Sequence, residues 1–203
     1  MDEQLIIATL NPGKIQEMLP YLDDLPLEIW SLSDLGITEQ APELTGTIEG
    51  NSEAKVRDAF SRTAKTCLAE DSGIEFDAFS GKPGVDTREW IGDNYDPEKF
   101  EQHLIEQFTG VTNLHATFRS TISVIRSGMP EVVQQESGIV PGTIVLTGRG
   151  ETVNGLPFCR HFIPDGQEKT IAEMGPEESE KYNHRIIALR KACAFLDKHL
   201  GNL

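Results

Sequence analysis

Leu68-Ala69-Glu70-Asp71-Ser72-Gly73-Ile74, continuing as Glu75-Phe76-Asp77, is the stretch from which the rest of the chain is read. An apolar run enters, two carboxylates and a hydroxyl follow, and Gly73 permits a backbone conformation that other residues resist. The pattern predicts a strand that delivers acid groups to a turn at its edge. Adjacent carboxylates on one turn repel, so they persist most easily where a divalent cation or a bound proton neutralises them. Asp71 is therefore the first candidate for a metal ligand or general base. The plainer alternative is a solvated acidic turn.

Upstream, Leu5-Ile6-Ile7-Ala8-Thr9 reads as a compact strand. Asn11-Pro12-Gly13 breaks it, and a helix follows with Lys14 in its first turn. The N–H groups of such a helix start, together with the Lys14 ammonium, form a seat for phosphate. The glycine spacing of a Walker loop is absent. Leu27 to Trp30 reads as a second strand and Ser31 to Gly46 as irregular acidic chain. From Ile48 a helix has Val56, Ala59, Phe60 and Ala64 on one face and puts Asn51 and Lys55 a turn apart.

Downstream, Gly81 to Arg88 is dense in turn formers and Pro97 to Phe108 is an amphipathic helix. Ala116 to Ile125 alternates as a strand, and two further short strands are expected at Val132–Glu136 and Gly142–Leu146. A glycine-rich connection follows. The last helix carries Ile186, Leu189, Cys193, Leu196 and Leu200 on one stripe, with Asn183 as its expected cap. Early βα alternation, later antiparallel-type strands and a closing helix predict an α/β fold with a mixed sheet.

The 203 residues, 38% hydrophobic and 25% charged, suit a single domain, residues 1–203, with one substantial core. A formal net charge of −15 argues against a nucleic-acid polymer or an anionic membrane as partner. A small phosphorylated ligand needs only local cations. Three cysteines, odd in number and far apart, fit a reducing cytoplasm better than a disulfide framework. The acidic start is unlike a signal peptide, and no apolar run approaches the roughly 18 residues of a membrane span.

In order, Ala8-Thr9-Leu10-Asn11-Pro12-Gly13-Lys14, Asn51 with Lys55, Glu70-Asp71-Ser72-Gly73, Pro83-Gly84-Val85, Arg149-Gly150 and Asn183-His184-Arg185 resemble the inosine triphosphate pyrophosphatase family. The resemblance runs from about residue 5 to residue 197. It implies a two-lobed α/β fold with a long mixed sheet flanked by helices, usually a homodimer, with a Mg²⁺ nucleoside triphosphate in a cleft between the lobes. Water attacks the α-phosphorus in that family, giving nucleoside monophosphate and pyrophosphate, a house-cleaning reaction on non-standard purine nucleotides. Carried over, Asn11 and Lys14 hold the triphosphate and Asn51 and Lys55 line the same site. Asp71 serves metal or water beside Glu70, and Ser72 donates to phosphate or the metal shell. His184 and Arg185 approach the purine edge, with Lys181 nearby. Mg²⁺ falls to Asp71 and Glu43, with Glu49 as the alternative for the second position.

The departures cluster at the base. The family's glycine-phenylalanine-glycine-tyrosine-aspartate-proline aligns on Gly155-Leu156-Pro157-Phe158-Cys159-Arg160. Phe158 can stack on a base, but Cys159 cannot replace a carboxylate and Pro157 lacks a backbone donor. Pro83-Gly84-Val85 is followed by Asp86-Thr87-Arg88-Glu89 where the family continues aromatic-Ser-Ala-Arg, and the family's lysine before the last motif falls on Ser179. Hydrolysis with altered base preference is the expected outcome. A binding homologue without turnover and a Maf-type pyrophosphatase are the alternatives.

Overall fold

The computed structural model describes residues 4–43, 46–92, 95–152 and 157–200. In chain order its strands are β1 (Gln4–Ile7), β2 (Glu28–Ser31), β3 (Thr66–Phe76), β4 (Pro83–Gly84), β5 (His115–Ile125), β6 (Gln134–Ile144) and β7 (Phe162–Pro164). The helices are α1 (Pro12–Leu22), α2 (Ile48–Thr63), α3 (Thr87–Ile91), α4 (Pro97–Gln107), α5 (Pro176–Ser179) and α6 (His184–Leu200). The strands form one sheet in the order β2-β1-β3-β5-β6-β7, with β4 paired to β3. β1 runs parallel to β2 and β3, whereas β3–β4 and β6–β7 are antiparallel, so the sheet is mixed as predicted. Among the described residues, no helix is long and apolar enough to cross a membrane.

Two expectations change. The acid pair does not stand at a turn: β3 continues without interruption from Thr66 to Phe76. The two short strands expected at 132–136 and 142–146 are one strand, Gln134–Ile144, that runs through Gly138, Pro141 and Gly142. Gly142 is required there by a neighbour, since a Cβ would lie 2.4 Å from the Ile163 carbonyl oxygen on β7.

The chain divides into two compact units. The first comprises residues 1–71, 120–138 and 185–203, the second 72–119 and 139–184. In the first, β1 and β3 are covered on both faces, which is why both read as continuous apolar runs. Leu5, Ile7 and Leu68 pack with Met18 and Leu22 of α1 and with Ile186, Leu189 and Leu196 of α6. The alternate residues Ile6, Ala8, Cys67 and Ala69 pack with Val56 and Ala59 of α2. Strand alternation thus assigns one face to α1 and α6 and the other to α2.

The second unit is built on aromatic rings. Phe76 meets Trp90 and Phe108 edge to face at 5.5 and 5.1 Å, and Phe100, Phe118 and Phe162 extend the cluster around Phe158. Gly73 serves this unit by close approach. A Cβ there would lie 2.0 Å from the Gly84 carbonyl oxygen, and Gly73 is absent from the residues with positive φ. Its need is the β3–β4 contact, not the unusual backbone conformation expected from the sequence.

Candidate active site

Because β3 stays extended through the acid pair, Glu70 and Asp71 leave the strand on opposite faces. Glu70 follows Leu68 toward α1 and α6, and Asp71 follows Ala69 toward α2. The mutual repulsion expected of two acids on one turn does not arise, and each acid has a directly paired cation, Lys14 for Glu70 and Lys55 for Asp71.

On the α1 and α6 side, Glu70 is wholly buried. Lys14 Nζ lies 2.7 Å from its Oε2, Arg185 Nε lies 3.1 Å from its Oε1, and Ser120 Oγ donates to Oε1 at 2.7 Å. Arg185 also pairs with Glu17, one turn beyond Lys14 on α1. Burial alone would push the Glu70 carboxyl up. Arg185, Lys14 and the Ser120 hydroxyl outweigh it and hold the group well below the usual carboxylate range. Glu70 is therefore an ionised anchor that fixes Lys14 and the start of α6.

On the α2 side, Lys55 Nζ donates to Asp71 Oδ1 at 2.8 Å and sits 2.5 Å from Glu43 Oε1. Lys55 and Asp71 are 3% and 4% exposed, and Asn51 is buried one turn before Lys55. Burial raises the Asp71 carboxyl and the nearby Glu43 carboxylate adds to that. Lys55 and Lys14 oppose them without cancelling them, so Asp71 lies above the ordinary aspartate value. Burial would lower the Lys55 ammonium, but Asp71 and Glu43 raise it, and the lysine stays charged. Asp71 Oδ2 is buried and has no hydrogen-bond partner in the described structure.

That orphaned oxygen is where water or a cation can be accepted. Mg²⁺ is usually bound through one or two carboxylates completed by water and substrate phosphates. Asp71 Oδ2 and the Glu43 carboxylate, an all-oxygen pair around Lys55, fit that demand. No group of three His, Cys, Asp or Glu side chains disposed for a metal occurs among the described residues, and a phosphate-completed ion does not require one. Of the two acids left open by the sequence, Glu43 is the one that reaches Lys55. Glu49 lies in the first turn of α2, where its carbonyl oxygen accepts from Gln135.

Asn11 caps α1, its Oδ1 accepting from Gly13 N at 2.9 Å and Lys14 N at 3.3 Å. The helix-start donors expected to seat phosphate are thus partly taken, leaving the Lys14 ammonium and the Asn11 side-chain N–H groups for that role. The structure therefore brings Asn11, Lys14, Glu43, Asn51, Lys55, Glu70, Asp71 and Arg185 into the first unit.

Ser72, Phe158, Lys181 and His184 belong to the second. Ser72 is half-buried on β3 and Lys181 is exposed. His184 stacks on Phe118, with ring centres 4.9 Å apart. Two observations bear on the expectations for the base. Phe158 is 3% exposed and ringed by Phe76, Trp90, Phe100 and Phe118, so its faces are occupied by the core. The Arg185 side chain is 11% exposed and engaged by Glu17 and Glu70, which makes it a clamp between α6 and α1. Gly155 and Leu156 lie outside the described residues.

Ser120 and Glu17 escaped the sequence reading. Glu17 was signalled only by its i,i+3 spacing from Lys14, and Ser120 only by its place on an alternating strand.

A family model described as the Ham1 family matches residues 5–195. The chain belongs to the Ham1 family. This is the family of pyrophosphatases that the sequence motifs resemble. The dITP/XTP pyrophosphatase of an Exiguobacterium species is 35% identical over 93% of this chain and 94% of its own length. That of Bacillus subtilis is 30% identical over 96% and 98%. Among solved structures, the Staphylococcus aureus Ham1 protein matches with a TM-score of 0.84 and 28% identity, covering 97% of this chain and all of that one. These Ham1 relatives span essentially the whole length of the chain, and the fold predicted from the motifs is theirs.

Proposed function

We propose that this Ham1 protein hydrolyses a non-standard purine nucleoside triphosphate, of the dITP, XTP or ITP kind, to the nucleoside monophosphate and pyrophosphate. The observation that carries the reading is the Lys55–Asp71 pair with Asp71 Oδ2 unsatisfied. The names of the full-length relatives supply the substrate class.

Lys14, held at 2.7 Å by Glu70 yet partly exposed, presents a fixed positive charge to the polyphosphate, with Asn11 beside it. Asp71 Oδ2 takes a proton from water as the water oxygen bonds to the α-phosphorus. The bond from that phosphorus to the bridging oxygen breaks and pyrophosphate leaves. A carboxylate raised by burial is a better base than an ordinary surface aspartate, and Lys55 keeps it oriented through Oδ1. Glu43 directly, and Asp71 by way of water so that Oδ2 stays open for the proton, would hold Mg²⁺, which when bound neutralises charge on the phosphates. A homodimer acting on a small nucleotide in the cytoplasm completes the reading.

The rival reading, binding without turnover, is favoured by the burial of Phe158 and the engagement of Arg185. Both leave the base without the contacts expected from the motifs.

The test is pyrophosphate release from dITP, XTP, ITP and the four ordinary nucleoside triphosphates, with and without Mg²⁺. Metal-dependent release favouring dITP or XTP is expected. Calorimetric binding of those nucleotides without release from any of them would overturn the reading in favour of the rival.

A further inference from the structure

A chain of polar side chains lies beneath the site with no part in the chemistry proposed above. Ser52, on α2, is wholly buried, and its Oγ shares its proton between the Ala69 carbonyl oxygen at 3.1 Å and Ser123 Oγ at 2.9 Å. Ser123, on β5, is also wholly buried and accepts from Gln135 Nε2 at 3.0 Å. Gln135, on β6, donates from the same nitrogen to the Glu49 carbonyl oxygen in the first turn of α2, at 2.9 Å. The loop of bonds leaves α2 at Ser52, crosses β5 and β6, and returns to α2 three residues earlier. On the way it fastens to β3 at Ala69, two residues before Asp71.

Burying two hydroxyls and half-burying an amide gains little stability, because each exchanges a water partner for a protein one at small net gain. Alanine at 52 and 123 would fill nearly the same volume with no polar group to satisfy. What the bonds supply is direction. Apolar packing of Val56 and Ala59 on Ala69 tolerates small sliding of a helix along a sheet, whereas hydrogen bonds weaken steeply with distance and angle. Lys55 is one turn beyond Ser52 on the same helix, so any slide of α2 along β3 moves Lys55 Nζ directly relative to Asp71 Oδ1.

We infer that Ser52, with Ser123 and Gln135 behind it, is a positioning residue: it fixes the register of α2 on β3 and so holds Lys55 on Asp71 in the reactive arrangement. The inference rests on the proposed hydrolysis for its kinetic consequence and on geometry alone for its structural one.

Both are tested on the full chain with Ser52→Ala and Ser123→Ala. Thr121→Val serves as control, since the buried Thr121 hydroxyl pairs with Ser137 at 3.0 Å and is not a link in the α2 loop. For Ser52→Ala, kcat for dITP should fall about tenfold or more with KM within twofold, because misplacement by a fraction of an ångström near reacting groups is costly while phosphate contacts persist. Ser123→Ala should fall less, and Thr121→Val should leave kcat unchanged even where it lowers Tm. In parallel, amide hydrogen exchange followed by mass spectrometry on nucleotide-free protein should accelerate in the peptide spanning residues 48–63 for Ser52→Ala, less for Ser123→Ala and not for Thr121→Val. Unchanged kcat in a folded Ser52→Ala variant, or an equal fall in the control, would overturn the inference. If the wild-type chain released no pyrophosphate from any nucleotide, the proposed hydrolysis would fail, and the exchange comparison would still decide the positioning role. Exchange in residues 48–63 no faster than in wild type would then overturn it.

Discussion

Glu70 shows how much the site depends on a single buried ion. Its carboxylate holds Lys14 and Arg185 at once and accepts from Ser120, with no water contact to share the load. Removing one partner from a buried ionic cluster leaves uncompensated charge, a loss of about 3–5 kcal/mol. Glu70→Gln keeps the shape and removes the charge, so it should lower stability by about 3 kcal/mol in denaturant titration. Lys14 should remain in place but be poorly fixed, with KM for nucleotide raised. The cations and acid to which the proposed hydrolysis assigns the chemistry, Lys14, Lys55 and Asp71, are legible in the sequence because their order along the chain is distinctive. Their partners are not: Ser120 lies 50 residues from Glu70, and nothing local in a strand marks one serine as a carboxylate donor. The ion pairs of Arg185 and the ring of aromatics around Phe158 were illegible for the converse reason, that a motif names a residue without saying which neighbours already occupy it.

At the scale of elements, β3 decides the arrangement. Read as a strand ending in an acidic turn, it made Glu70 and Asp71 rivals for one cation; as a strand that continues to Phe76, it hands them to different helices. The sequence concealed this because Glu-Asp-Ser-Gly has the composition of a turn. Gly73 tolerates the strand because only hydrogen fits against the Gly84 carbonyl oxygen. Gly73→Ala should therefore break the β3–β4 pairing and, with it, the bond from Ile74 N to Thr87 Oγ1 at 2.9 Å. A fall in Tm of about 10 °C or more, or failure to accumulate as folded protein, is the expected result. A Tm within about 2 °C of wild type would show that the loop yields freely. The same blindness split β6 in two, since Pro141-Gly142 reads as a break but lies within one strand. The helices fared better, because the spacing of their apolar residues is a local signal.

For the molecule as a whole, the dependence of stability on pH follows from two buried groups, His161 and Glu70. His161 is wholly buried, with Nδ1 3.0 Å from the Val145 carbonyl oxygen. Burial lowers its pKa and Arg160 assists, while the Val145 bond and Glu101 oppose without prevailing. The folded protein thus resists a proton that the unfolded chain accepts. Stability is full above the ordinary histidine value of about 6.5 and declines as pH falls below it. Glu70 acts lower: its depressed folded value contributes stability above about 4.3, lost as pH falls further. Thermal melts between about pH 7.5 and pH 5 should show a fall in Tm that His161→Leu reduces. An equal slope in both proteins would assign the loss to other groups. The α/β class and the mixed sheet were legible at this scale from the alternation of strand and helix signals. The division into an aliphatic unit and an aromatic one was not, because it depends on which distant phenylalanines meet.

The most direct test compares wild-type protein and Asp71→Asn for pyrophosphate release from dITP with Mg²⁺, in preparations matched by circular dichroism and Tm. Loss of a positioned general base should lower kcat about 10²- to 10⁴-fold in a folded variant. Release at the wild-type rate from folded Asp71→Asn would contradict the assignment of the base to the orphaned oxygen of β3.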